Sequence, residues 1–454
     1  MNSLVKLATN QSKPDYAEGL PNRSDYGDLS KIKPEDILTF LVQQHLAKRA
    51  GEHYDVRLGS PELGLLSWAV RKGLPLPGGK AHLAVRQPVH KMSYKDFEGT
   101  IPEGYGAGEV KKMLESAAVI HKASENHILF TLGDERGGNR YSLVNTNGKN
   151  WLLTNVTPAS APLTKEELKP KLKNIGAQSD KDRIKDMLVN KVLSPKLDGA
   201  LTTIKVGKTL EAYSPRTRAG SGLPITYSER LGLVGKPVDQ SLKDMILRGE
   251  VIAQQGGKIL DPSAISGLLN MNLASMLDKL RKDKIDLKVG LFDVGGKGTP
   301  LDKQKLLSDI LNKLPKDKFF NIPKYTGAEA ESVYDQILRG NNPLTKEGVV
   351  LEDIAGQGPS QKIKFLNESD VVINDIFKAL TQPGKPERAG GFSYTTPDKS
   401  STGKVGTGFS HDMLKDMLAN PDKYIGRTAR VRSLDKYPSG SLRAPAFLAL
   451  HEDY

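Results

Sequence analysis

Lys196-Leu197-Asp198-Gly199 sets an amine two residues ahead of a carboxylate and a turn. An amine with a free lone pair can attack a phosphoryl group and hold it covalently. At the ordinary lysine pKa of ~10.4 only about one amine in a thousand is neutral at pH 7, so nearby cations must favour the neutral form. Lys362 and Lys364 flank Ile363. In a strand both amines would leave one face while the isoleucine enters the core. A solvated lysine edge gives the same pattern. Glu250, in Arg248-Gly249-Glu250, and Glu347, ahead of Gly348-Val349-Val350-Leu351, offer the oxygen ligands that Mg²⁺ prefers. The apolar run after Glu347 predicts a buried strand with the carboxylate at its mouth.

A second set lies near the N-terminus. His53-Tyr54-Asp55-Val56-Arg57-Leu58 alternates, so His53, Asp55 and Arg57 share one strand face while Tyr54, Val56 and Leu58 fill the other. With His45 just upstream, two imidazoles and a carboxylate suit a divalent transition metal. Arg57, His90 and Tyr94 could then hold and protonate a phosphate. By periodicity alone the plainer reading is a polar-faced strand.

These residues need modules to position them. A chain of 454 residues suggests about three. Residues 1–34 are polar, with Pro14, Pro21 and Pro34, and read as a mobile arm. Short apolar alternations and many glycines over 35–156 predict a small β-rich domain. Pro158, Pro162 and Pro170 mark a linker over 157–179. Helices and strands mix over 180–368. There Leu306, Leu307, Ile310, Leu311 and Leu314 share a helical face, and a helix over 328–339 stops at Gly340. Residues 369–454 read as short strands with one helix capped by Ser410 and a small barrel closed by strands at 428–432 and 445–450. The net charge of +13 favours a polyanionic partner. Zero cysteines exclude a disulfide scaffold and a thiol nucleophile. No apolar run is long enough to span a bilayer and no signal segment opens the chain, so a soluble, cytoplasmic protein without membrane attachment is expected.

The order of motifs carries more than any one of them. Lys196-Leu197-Asp198-Gly199 is followed by Ser214-Pro215-Arg216, Arg248-Gly249-Glu250, Leu291-Phe292-Asp293, Lys346-Glu347-Gly348-Val349-Val350, Lys362-Ile363-Lys364 and Leu442-Arg443-Ala444-Pro445. That series resembles the ATP-dependent DNA ligases. The resemblance implies Lys196 as the nucleophile toward ATP, with Asp198, Glu250, Glu347, Lys362 and Lys364 in the catalytic set. It also implies Mg²⁺ near Glu250 and Glu347. Phe292 matches the aromatic that stacks on adenine, although alone it reads equally as core. Arg216 matches an arginine at phosphate or nick, and Arg443 one that orients the pyrophosphate leaving group. Leu201 stands where the family usually has an arginine.

Residues 42–110 resemble the 3′-phosphoesterase module of bacterial DNA ligase D proteins. The carriers are Gln44-His45, His53 to Leu58, Ser67-Trp68-Ala69-Val70 and Phe97 to Gly104. The likeness implies Mn²⁺ or a similar ion on His45, His53 and Asp55, phosphate on Arg57, His90 and Tyr94, and trimming of 3′-phosphates or 3′-ribonucleotides. His82 stands where that module tends to have an arginine. The resulting expectation is an α+β multidomain protein: a small β-barrel phosphoesterase-like domain, a nucleotidyltransferase (ATP-grasp-like ligase) domain and a C-terminal OB-fold barrel. It would act as a monomer on nicked or broken duplex DNA, in repair, replication or recombination, with a Ku-like protein as a conceivable recruiter. The rival readings are an RNA ligase or capping-type nucleotidyltransferase, and a DNA-end-binding protein with a degenerate phosphoesterase module.

Overall fold

The structure, a computed structural model, describes residues 25–104, 106–133, 139–158, 163, 167, 172–174, 186–217, 224–380, 387–434, 436–437 and 439–451. Nine strands come first: β1 (Ile37–Ala47), β2 (Gly51–Ser60), β3 (Gly64–Val70), β4 (His82–His90), β5 (Gly99–Ile101), β6 (Gly108–Ser124), β7 (His127–Leu132), β8 (Arg140–Asn147) and β9 (Asn150–Asn155). They pair in the order β1-β2-β3-β4-β9-β8-β7-β6, and β6 pairs back onto β1, so eight strands close a barrel with β5 beside β6. Phe40, Val56, Leu58, Trp68, Phe130 and Trp151 fill its interior. As the alternation predicts, Tyr54, Val56 and Leu58 join that core, which leaves His53, Asp55 and Arg57 on the outer face.

Residues 25–34 differ from the mobile arm expected over 1–34, whose first 24 residues lie outside the described ones. Asp28 caps a short turn at Leu29–Lys31, and Leu29 and Ile32 are buried in the barrel core. Two apolar side chains three residues apart carry too little period to be read as packed from sequence.

Two sheets build the central region. The smaller comprises β10 (Leu172–Asn174), β11 (Lys191–Pro195), β19 (Gly348–Asp353) and β20 (Ser360–Lys364), in the order β10-β20-β19-β11. The larger runs β14-β13-β12-β15-β17-β18, from Pro224–Thr226, Leu210–Thr217, Ala200–Val206, Ile246–Gln255, Ile285–Val294 and Phe319–Asn321, with β16 (Lys258–Ile259) on β15. Helices α1 (Pro262–Asn270), α2 (Leu273–Asp283) and α3 (Pro300–Leu311) cover the larger sheet through Leu268, Met276, Leu307 and Ile310. Helix α4 (Gly327–Leu338) packs Val333 and Ile337 on the smaller. Two predicted positions shift: Leu306 is 40% exposed, and Leu314 is buried beyond the end of α3. The span read as a linker contributes to this body where it is described, through β10 and through Leu163 packed on Tyr213.

The last region is a five-stranded antiparallel sheet in the order β23-β22-β21-β24-β25, formed by Thr402–Val405, Ala389–Thr395, Asn367–Lys378, Thr428–Ser433 and Ala446–Leu450. Helix α5 (His411–Ala419) buries Met417, and Ser410 Oγ accepts the Met413 N–H at 3.1 Å as its cap. Among the described residues no helix is long and apolar enough to cross a membrane.

Candidate active sites

The outer face of β1 and β2 gathers the first cluster. Register pairs His45 with His53 and Gln43 with Asp55, and paired residues point the same way. Asp55 Oδ2 lies 3.8 Å from His45 Nδ1, and Oδ1 lies 3.7 Å from His53 Nε2. His45 Nε2 is 2.9 Å from the Gly106 carbonyl and His53 Nδ1 is 3.0 Å from that of Gly51. A carbonyl oxygen only accepts, so each of those ring nitrogens carries the proton and donates. The lone pairs on His45 Nδ1 and His53 Nε2 then face the carboxylate. One ligand atom from each of the three residues lies within 4.8 Å of the others, a donor set that fits a divalent transition ion.

Beside this trio, Arg57 donates to Asp55 Oδ2 at 2.9 Å and to Ser67 Oγ at 2.7 Å. Its guanidinium sits 5.0 Å from the Tyr94 ring centroid, and His90 lies 4.8 Å from the same ring. Burial, then the charge of Arg57, hold the His90 imidazole neutral, its pKa lowered to about 2. Burial pushes the Tyr94 phenol up to about 12, so it keeps its proton and can donate. The three groups cluster as one permanent cation and two neutral hydrogen-bonding groups, a set suited to a phosphate oxygen.

The second cluster sits where the chain crosses between the two central sheets. β11 ends at Pro195, and the Lys196 N–H donates to the Gly348 carbonyl at 3.0 Å. Thr345 Oγ1 donates to the Lys196 carbonyl at 2.6 Å. Three residues after Lys196, the backbone passes against β15: a Cβ on Gly199 would meet the Val251 carbonyl oxygen at 2.2 Å. Only glycine allows that approach, which explains the residue at the end of the motif. Between these anchors Lys196 Nζ reaches Glu347 Oε2 at 2.5 Å, and Lys364 Nζ reaches Oε1 at 2.7 Å. Burial pushes the Glu347 carboxyl up, but Lys196 and Lys364 outweigh it and hold the group below the usual carboxylate range.

Glu250 completes the floor. It is only partly shielded at the surface yet densely surrounded by protein, and burial raises its pKa to about 7 against the pull of Lys196. Glu347 and Asp198 push it further up. Over this floor Arg443 of the C-terminal sheet region grips Asp198 with both outer nitrogens, Nη2 at 2.6 Å from Oδ1. The next residue, Ala444, has φ +48°, a left-handed conformation that turns the chain there.

Residues 43–145 match the DNA Ligase D 3′-phosphoesterase domain. The likeness expected for the N-terminal region is thereby shown over a segment that contains His45, His53, Asp55, Arg57, His90 and Tyr94. The multifunctional non-homologous end joining DNA repair protein LigD of Mycobacterium tuberculosis (strain ATCC 25618 / H37Rv) is 39% identical over 119 residues, 25% of this chain and 15% of that protein. Its counterpart in Pseudomonas aeruginosa is 38% identical over 137 residues, 28% of this chain and 16% of that protein. The chain thus matches about 15% of the length of these relatives. Among solved structures, the ligase domain of M. tuberculosis LigD covers 62% of this chain and 94% of its own at 17% identity, with a TM-score of 0.31. A structure from work on Lig E DNA ligases covers 62% of this chain and all of its own at 16% identity, with a TM-score of 0.43.

Within the phosphoesterase-domain segment the fold brings together all six residues singled out from sequence. His82 is not among them: register pairs it with buried Leu153, on the barrel side of β4, and its Nδ1 hydrogen-bonds the Gly73 carbonyl. In the lysine cluster, Lys196, Asp198, Glu250, Glu347, Lys364 and Arg443 meet. Lys362 shares the Lys364 face of β20 while Ile363 is fully buried, as alternation predicts. Phe292 is the extra residue of a β-bulge, since Arg248 pairs with Asp293 and Gly249 with Leu291. It packs in the cluster that holds Leu197 and Ile322. Arg216 stays exposed, and among the described residues its side chain joins no ion pair. Sequence reasoning missed Thr345, which ties two motifs together through Lys196 O and the Glu347 N–H, 3.0 Å from its hydroxyl. It also missed Gln43, whose buried amide donates to the Phe97 carbonyl at 3.0 Å and so pins the turn bearing Tyr94. The signal for Gln43 was its place two residues before His45 on the same strand face.

Proposed function

We propose that this chain is an ATP-dependent DNA ligase that works through a covalent lysyl-AMP, with an N-terminal module that cleans 3′ ends. The observation that carries the reading is the convergence of Lys196, Glu347, Lys364 and Glu250, with Arg443 delivered onto Asp198. Lys196 Nζ would attack the α-phosphorus of ATP, forming the N–P bond as the bond to pyrophosphate breaks. Glu347, at hydrogen-bond distance, is placed to take the amine proton, while Lys364 offsets charge on the phosphate. The AMP would pass to a 5′-phosphate on DNA, and a 3′-hydroxyl would then displace it and close the strand.

Glu250 and Glu347 would hold Mg²⁺, which supplies charge neutralisation on the phosphates when bound. His45, His53 and Asp55 would hold Mn²⁺ or a similar ion, which polarises a 3′-phosphate when bound. Arg57, Tyr94 and neutral His90 would orient that phosphate and donate to its oxygens. The pairing is chemically coherent, because sealing needs a free 3′-hydroxyl. The relatives' role in non-homologous end joining supports broken or nicked duplex DNA as the substrate. In this reading residues 35–156 are the phosphoesterase domain, 180–368 the nucleotidyltransferase domain and 369–454 an OB-fold.

The test is incubation with α-labelled ATP and Mg²⁺ followed by a denaturing gel, with Lys196→Ala alongside. Label on the parent and none on the variant is the expected result, with nick sealing lost in parallel. A parent that takes no label after any bound AMP is stripped overturns the ligase reading. Label from GTP in preference to ATP would point to capping chemistry instead.

A further inference from the structure

Arg140 opens β8 on the barrel, yet its partners belong to the central region. Its side chain is 5% exposed and bridges two carboxylates. Nη1 donates to Glu211 Oε1 at 2.8 Å, and Nη2 donates to Glu229 Oε1 at 2.5 Å with Nε 3.2 Å from the same atom. Those acceptors are themselves fixed. Thr226 Oγ1 donates to Glu229 Oε2 at 2.6 Å, and Ser228 Oγ donates to Glu211 Oε2 at 2.9 Å. The same Ser228 hydroxyl accepts the Ala212 N–H at 2.8 Å. The network therefore runs from the barrel through Glu211 on β13 to the turn after β14.

Apolar packing continues the seam. Val119 of β6 is buried in the core of the central region, and Ile37 of β1 packs against that core. Gly133 approaches α2 so closely that a Cβ there would lie 3.0 Å from that of Ala274. A flexible tether between independent modules would not leave a buried arginine whose satisfaction depends entirely on the other module. Removing one partner of a buried ion pair leaves the rest desolvated and unpaired.

We propose that the barrel and the central two-sheet region form one cooperative body, in which Arg140 is a positioning residue for the Glu211–Arg216 strand and the Thr226–Glu229 turn. β13 neighbours β12, which begins directly after the Lys196 loop, and it carries Arg216 toward its end. The barrel thus stiffens the edge of the sheet that leads to the lysine cluster. Both candidate sites stand on one frame, and a DNA end would have to move between them. The coupling does not rest on the ligase reading, because its readouts need neither nucleotide nor DNA.

The test is amide hydrogen exchange and calorimetry on the full chain, comparing the parent, Arg140→Lys and Arg140→Ala. The parent should melt in one transition that includes the barrel and residues 211–229. In Arg140→Ala exchange at Ala212 and Tyr227 should quicken on the order of a hundredfold, and the transition should split. Arg140→Lys keeps the charge but not the two-pronged fork, and should fall between. A purely local role in the barrel would loosen β8 and leave Ala212 within about twofold of the parent, which overturns the proposal. So does a parent whose barrel and 211–229 segment open independently. If Arg140→Ala does not fold, the parent and Arg140→Lys decide.

Discussion

Glu347 shows how one buried carboxylate can serve two amines. Its oxygens are divided between Lys196 and Lys364, and those two charges keep it ionised despite burial. Glu250, on β15 of the other central sheet, has the opposite balance. Burial and two neighbouring carboxylates raise it to about 7 from 4.5. Because the folded value exceeds the unfolded one, its favourable contribution is complete below pH ~4.5 and is lost as pH rises through about 7. Glu250→Gln should therefore gain stability over the metal-free parent across that window, by up to ~3 kcal/mol above it. Denaturant unfolding of both proteins at pH 5 and pH 8 checks this, and a gain that does not grow with pH contradicts it. The same substitution should abolish labelling by ATP, so stability and activity should move in opposite directions.

At the scale of elements, the lysine cluster depends on how closely three strands approach. Gly348 begins β19 with φ +146°, and a Cβ there would meet the Ile363 carbonyl oxygen at 2.0 Å. The contact lies in the β19–β20 ladder, which sets Glu347 against Lys364. Gly348→Ala must part those strands, at a cost of ~2–4 kcal/mol, and should lose labelling beyond what the lower stability explains. Thermal unfolding and the label assay at a temperature where the variant is folded separate the two effects. Full labelling in a folded Gly348→Ala variant would show that the carboxylate tolerates a shifted strand. The barrel uses its strands differently: β1 and β2 carry an apolar inner face and an outer face with the two histidines and Asp55, where Gln43 donates to the Phe97 carbonyl and Ser67 accepts from Arg57.

For the molecule as a whole, the excess of 66 Lys and Arg over 53 Asp and Glu becomes a matter of where the free cations lie. Ion pairs tie up Arg57, Arg140, Lys196, Arg248 and Arg443 internally, while Arg216 remains exposed. Duplex binding should be dominated by phosphate contacts. With about six such contacts, affinity for a nicked duplex should fall ~10³-fold between 50 and 200 mM salt. Fluorescence anisotropy across that range measures the slope, and a flat response would remove DNA as the polyanion that the charge implies. Arg443 adds a conformational element, since the segment between β24 and β25 reaches the lysine loop through its bidentate pair with Asp198.

Much of the chemistry was legible in the sequence because it is local. Alternation puts His53, Asp55 and Arg57 on one face and buries Ile363 between two lysines, and strand geometry carries that pattern directly into space. The capped helix after Ser410 and the strand after Glu347 follow from short-range signals of the same kind. Distances across the chain were not legible. That Glu347 meets Lys196 after 151 residues, that Arg443 reaches Asp198 after 245, and that Arg140 is clasped by Glu229 after 89 depends on how sheets stack. Periodicity encodes which face of an element is buried but not which element covers it. The sequence by itself singled out the candidate groups and the strands that present them. Only the tertiary structure decided that residues 25–34 pack, that part of the expected linker joins a sheet, and that a buried arginine fastens the barrel to its neighbour, because each depends on long-range contacts between segments whose local patterns are silent about their partners.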